Sequence, residues 1–144
     1  MENIEEKLGA VVRSLRQAAG MTQEQLAQAL TGEGWAARQN TIAKLENGLR
    51  PTTVAELYVI ARVFNVEARD IYALTDPPEV EDEDGAAKFA LRQGLAMKRA
   101  QLKTDRSQIA ALDAEMNYLR AAVMELERDI RDLEEQLGEH SEEA

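Results

Sequence analysis

The sequence predicts an all-α protein: five short helices in the first half of the chain, then one long coiled-coil helix. Three observations carry that expectation. Apolar residues recur at helical spacing from Ile4 to Leu74. Two capping boxes, Thr22 with Gln25 and Thr53 with Glu56, mark helix starts. From Ala86 to Leu137 there is no proline and a single glycine, Gly94, while aliphatic residues repeat in heptads from Ile109 onward.

The first helix is a packing element. Ile4, Leu8, Val11, Val12 and Leu15 share a face, and Gly20 ends it. Arg13 reads as a solvated charge on that helix rather than a phosphate contact. The second helix opens at Thr22 and turns Leu26, Ala29 and Leu30 inward, leaving Gln23, Glu24 and Gln28 outward. The third runs from about Arg38 or Gln39 to Asn47 and stops at Gly48, a residue suited to a left-handed cap. Leu49-Arg50-Pro51 breaks the chain, because proline disfavours helix in the residue before it. Val54, Leu57, Tyr58, Ile60, Ala61 and Phe64 then supply a fourth helix ending near Asn65. Glu67 and Asp70 open a fifth, whose Ile71 and Leu74 close the core.

The stretch Thr22 to Gly48 pairs two short amphipathic helices across a glycine-containing turn. Ile42 and Leu45 face the core, while Gln39, Asn40, Thr41 and Lys44 lie on the outer face of the second helix. In helix-turn-helix docking the early residues of that helix reach base edges in the major groove. Gln and Asn can bond adenine bidentately, and Thr offers a hydroxyl plus a methyl for thymine. These four residues are therefore the expected DNA base readers.

The segments TQEQLAQAL, NTIAKLENGLRP and TVAELYVIARVFNVEARDIYAL together resemble the Cro/repressor-type (Xre-like) helix-turn-helix regulators of phages and bacteria. The resemblance spans Leu8 to Leu74, about half the chain, and Thr41 to Gly48 is its most specific part. It implies a five-helix repressor-type domain that binds double-stranded DNA. It places Gln39, Asn40, Thr41 and Lys44 in the groove and Gln23, Arg38, Asn47 and Arg50 against DNA phosphates. Arg16 and Glu46 match a structural ion pair of that family. The turn Thr31 to Ala37 is longer than the family's usual turn, and Trp35 is expected to plug the space beneath it.

Charge distribution is compatible with this. The chain carries 17 Lys/Arg against 27 Asp/Glu, a net charge of -10, which alone argues against a nucleic-acid partner. Almost all of the excess acid lies after Leu74. With no Cys and one His, His140, the chain lacks raw material for disulfides, metal sites or nucleophilic catalysis. No enzyme activity, cofactor or metal is expected, and no run is apolar enough for a membrane helix. The acidic N-terminus is unlike a secretory signal, so a cytoplasmic, nucleoid-associated protein is expected.

Residues 75–85, TDPPEVEDEDG, read as an acidic, proline-containing linker between a domain at 1–74 and a helix at 86–137. Residues 138–144 read as a disordered tail. In the heptads, Ile109, Met116, Val123, Ile130 and Leu137 take position a, and Leu112, Leu119, Leu126 and Leu133 take d. Aliphatic residues at a with Leu at d favour a parallel two-stranded homodimer. The flanks leave antiparallel and four-helix arrangements open: Glu115 suits Arg120 of a parallel partner, but Asp129 and Glu134 repel.

Upstream the repeat fails, with Lys98 and Asp105 on d positions, and Phe89, Leu91, Leu95 and Met97 read as packing residues. The basic run Lys88 to Arg106 reads as a solvated face or a neutraliser of the acidic linker, rather than a basic-zipper DNA reader. The expected function is a sequence-specific regulator, a repressor binding a pseudo-palindromic operator as a dimer. Its reading surfaces would lie about one turn, ~34 Å, apart. The alternative is an adaptor, antitoxin-like or anti-repressor-like, whose protein partner docks on the long helix.

Overall fold

A computed structural model describes residues 3–77, 79 and 82–142. It contains six helices and no strand among the described residues: α1 (Ile4–Ala18), α2 (Gln23–Gly32), α3 (Gln39–Glu46), α4 (Val54–Phe64), α5 (Ala68–Thr75) and α6 (Glu83–Glu142). The protein is all-α, as its periodicity requires.

Local chemistry sets the helix ends. Thr22 Oγ1 accepts from the Gln25 N–H at 3.1 Å while Gln25 Oε1 accepts from the Thr22 N–H at 2.9 Å. The same reciprocal pair joins Thr53 and Glu56 at 3.2 and 2.9 Å. Each satisfies two amides that a helix start leaves without partners. Asn65, at φ 53°, ends α4 in the left-handed region that Asn tolerates better than most side chains.

The chain divides into two compact units, Met1–Asp105 and Arg106–Ala144. In the first, α1 packs against α3 and α5, and α2 against α3 and α4. Val12, Leu15, Leu26, Leu30, Ile42, Leu45, Ile60, Phe64 and Ile71 are fully buried. Ile4, expected on the packed face of α1, remains 46% exposed.

The sequence places a domain end at Leu74, whereas the compact unit continues to Asp105. Ala96 and Ala100 are buried and Met97 packs against the core. Lys103 Nζ donates to the Arg62 carbonyl. Two alanines one turn apart let α6 approach closely, a signal hidden by the basic residues around them. Of the four residues expected to pack here, Phe89 and Met97 are half-buried, but Leu91 and Leu95 are exposed.

The α6 boundaries also extend past those expected. Asp82 accepts from the Gly85 N–H at 2.7 Å, and Glu83 and Asp84 occupy the first turn. The acids taken for linker thus begin the helix, where negative charge meets the positive end of the helix dipole. Of the expected linker, residues 78, 80 and 81 lie outside the described residues. Gly138, expected to begin a tail, lies within α6, since one glycine costs only about 1 kcal/mol in a helix of good formers. Residues 143–144 of that tail lie outside the described residues. In the second unit every a and d position from Ile109 to Leu137 is exposed. No helix among the described residues is long and apolar enough to cross a membrane.

Candidate nucleic-acid interface

The turn between α2 and α3 is fixed from within. Gly34 takes φ 98°, which only glycine adopts readily, and the Trp35 N–H returns to the Leu30 carbonyl at 3.0 Å. Thr31 Oγ1 donates to the Ala27 and Ala37 carbonyls at 2.9 and 3.3 Å, and Ala37 is buried. Trp35 packs half-buried against the core, and the Arg50 guanidinium sits 5.3 Å from its ring centroid. The indole supports this turn from beneath.

α3 is anchored by Ile42 and Leu45, both buried. That orientation turns Gln39, Asn40 and Lys44 out to solvent. Thr41 is half-buried, and its Oγ1 accepts from the Arg38 N–H at 3.3 Å, so it caps its own helix. Its hydroxyl hydrogen and methyl group remain for a ligand. Arg38, at the N-cap, is exposed.

Glu46 holds this assembly together. It is 3% exposed, yet carries a carboxylate. Arg16 meets it through two nitrogens, Nε at 2.5 Å and Nη2 at 3.0 Å, and also donates to the Met21 carbonyl at 2.8 Å. Gln23 Nε2 adds a bond at 3.1 Å and Arg13 Nε another at 3.4 Å. Such a network ties α1 and α2 to α3 and satisfies a charge that would otherwise be costly to bury. Burial, the largest single influence, pushes the Glu46 pKa up. The hydrogen bonds from Arg16, Gln23 and Arg13 and the Arg16 charge outweigh it, leaving the pKa below the usual 4.5. Arg16 is in turn raised by its bond to Glu46.

Several residues that the sequence placed elsewhere are drawn into this network. Arg13, expected to be a solvated charge, is a clamp: Nη2 reaches Asn47 Oδ1 at 2.7 Å and the Glu46 carbonyl at 3.2 Å. Gln23 Oε1 accepts from Gln39 Nε2 at 3.3 Å, so the network reaches the outer face of α3. Asn47 Nδ2 donates to the Ala43 carbonyl at 2.8 Å. Arg50 Nη2 donates to Glu56 at 2.7 Å. Among the residues expected at phosphates, Gln23, Asn47 and Arg50 therefore already hold partners in the chain. Arg13 lies three residues before Arg16, on the same face of α1, the only sequence signal for its role. Gly9 gave none: a Cβ there would meet the Leu45 carbonyl oxygen and lie 2.7 Å from that of Glu46.

Two helices joined by a fixed turn, the second presenting an amide-rich first turn to solvent, define a helix-turn-helix DNA-binding domain. Residues 12–71 match the helix-turn-helix family model. Over that span the chain carries a Cro/repressor-type (Xre) helix-turn-helix domain, followed by the long helix α6. That family is one of DNA-binding regulators rather than enzymes, and residues 12–71 carry its DNA-binding domain. Comparison with curated proteins and with solved structures gave no match.

Proposed function

We infer that the protein is a repressor that binds a pseudo-palindromic operator as a homodimer. Gln39, Asn40, Thr41 and Lys44 read base edges in the major groove, the amides directed at adenine and Thr41 offering its methyl to thymine. Arg38, exposed at the start of α3, contacts the flanking phosphate. Gln23, Asn47 and Arg50 border the same face and exchange part of their internal bonding for phosphate oxygens. The observation that carries this reading is the outward placement of Gln39, Asn40 and Lys44 on a helix whose opposite face is locked by Ile42, Leu45 and Glu46.

The helix-turn-helix within the first unit supplies the reading surface, and the a/d seam of α6 the contact between copies. Each half-site contributes modest affinity, because the reading domain has nearly balanced charge and few phosphate contacts. Pairing through the seam raises the effective concentration of the second domain once the first is bound. A dimer seated over a promoter excludes polymerase. The test is the stoichiometry of the complex with a single operator duplex in multi-angle light scattering. Two chains per duplex are expected, and one chain bound with full affinity would refute the dimeric reading.

A further inference from the structure

The α6 helix presents different faces to different surroundings. Carrying the heptad back from Ile109 places Ala96, Met97 and Ala100 at b, c and f, and these are the residues packed into the core of the first unit. The open face is again a and d: Leu91, Leu95 and Leu102 are 73, 51 and 48% exposed. These leucines share the register of the exposed seam from Ile109 to Leu137. Lys98 and Asp105 occupy the two d positions among them.

A parallel, in-register partner cannot cover that upstream part of the seam. It would set Lys98 against the partner's Lys98 and Asp105 against the partner's Asp105, like charges facing each other in the core of a coil. Resting on the dimer reading above, we propose that the seam is covered by α6 of a second copy running antiparallel, centred near Ala114. Leu95 then meets the partner's Leu133, Leu102 the partner's Leu126, and Ile109 the partner's Leu119. Lys98 lies opposite the partner's Ile130, and Asp105 opposite the partner's Val123. No ionised residue in the seam faces its own kind.

Charge along α6 favours the same direction. Between Lys88 and Arg106 the charged side chains are basic except for Asp105, whereas Glu125, Glu127, Asp129, Asp132, Glu134 and Glu135 dominate the later turns. In an antiparallel pair, position e flanks e of the partner, and long side chains lean toward their own helix N-terminus. Arg99 then reaches the partner's Glu134, Arg106 the partner's Glu127, and Asp113 the partner's Arg120. All three contacts join opposite charges, against one like-charge contact on the g flank, Glu115 beside the partner's Glu115. Within its own chain Arg99 meets Asp70 at 3.9 Å, and its side chain is 44% exposed. The parallel alternative offers one attractive flank, Glu115 with the partner's Arg120, and one repulsive, Asp129 with the partner's Glu134.

The chain has no cysteine, so Ala111→Cys and Glu135→Cys can each carry one spin label in the full-length protein. Antiparallel pairing about Ala114 predicts a short distance at Ala111, under about 35 Å, and a separation of about 65 Å at Glu135, from the 1.5 Å rise per residue. Short distances at both positions would overturn the antiparallel arrangement and leave the dimer standing. Absence of dipolar coupling at both, with a one-chain mass in light scattering, would overturn the dimer itself. A four-chain mass would overturn the two-stranded pairing. In a second test, Arg106→Glu weakens self-association roughly tenfold by placing like charges at two sites per dimer, and Glu127→Arg in the same chain restores it. Failure of that rescue would refute the proposed register.

Discussion

Removing the guanidinium of Arg16 leaves a carboxylate with almost no access to water. The Glu46 side chain has no exposed surface and that of Arg16 only 13%, so Arg16→Ala deletes one member of a buried pair and opens a gap between α1 and α3. Breaking such a pair costs ~3–5 kcal/mol. Gln23 and Arg13 remain bonded to Glu46, which sets the expected loss at the lower end, ~3 kcal/mol. At ~4–8 °C per kcal/mol for a domain of this size, the melting midpoint should fall by at least about 12 °C. Circular dichroism melts of the full chain at neutral pH measure this directly.

Titration of Glu46 gives that experiment a second axis. Its folded pKa lies below the ordinary 4.5, so its contribution to stability is present above that value and is lost as pH falls through the folded pKa. In Arg16→Ala the largest lowering influence is gone, so Glu46 takes up its proton at a higher pH than in the parent. The gap between parent and variant melts should therefore narrow as pH drops below about 4.5. A variant melting within about 2 °C of the parent at neutral pH would show that Arg16 and Glu46 do not act as a buried pair.

Other perturbations separate packing from recognition. Gly9→Ala would ordinarily favour a helix, but here the added methyl meets the Leu45 and Glu46 carbonyls. A loss of about 1–3 kcal/mol is expected, read as a lower midpoint in urea. Arg50→Ala removes both the Glu56 bond and the stacking on Trp35. It should lower stability by ~1 kcal/mol, with the salt slope of DNA binding falling by about 1 if Arg50 also reaches a phosphate. An unchanged slope would confine Arg50 to the turn. Leu119→Asp places a charge in the exposed seam of α6 and should reduce self-association at least ~100-fold. An unchanged molar mass in light scattering would mean that the heptads are not the contact between copies.

Helix identity and the ends of the five short helices were legible because they depend on neighbours in sequence. Thr22 with Gln25, Thr53 with Glu56, and the stops at Gly20, Gly48 and Asn65 all follow from local pattern. The exposed face of α3 followed from the inward spacing of Ile42 and Leu45. Contacts across the tertiary fold were not legible in the same way. Arg13 looked like any surface cation until α3 placed Glu46 and Asn47 beside it. Gln23 and Gln39, sixteen residues apart, share a hydrogen bond only because of the angle fixed by the turn. In α6 the failure of the heptad at Lys98 and Asp105 was visible, but its meaning was not. The opposite face, Ala96 and Ala100, packs against the domain, and small residues give too weak a hydrophobic signal to announce that.

The most direct measurement is selection of random duplex DNA by the full-length protein at ~150 mM salt, with a Gln39→Ala/Asn40→Ala variant of equal helicity and molar mass alongside. The parent should enrich a motif with twofold symmetry, with adenine at the positions facing the two amides, and the variant should enrich none. A motif enriched equally by both proteins would contradict the assigned reading surface, and enrichment by neither would contradict sequence-specific recognition itself.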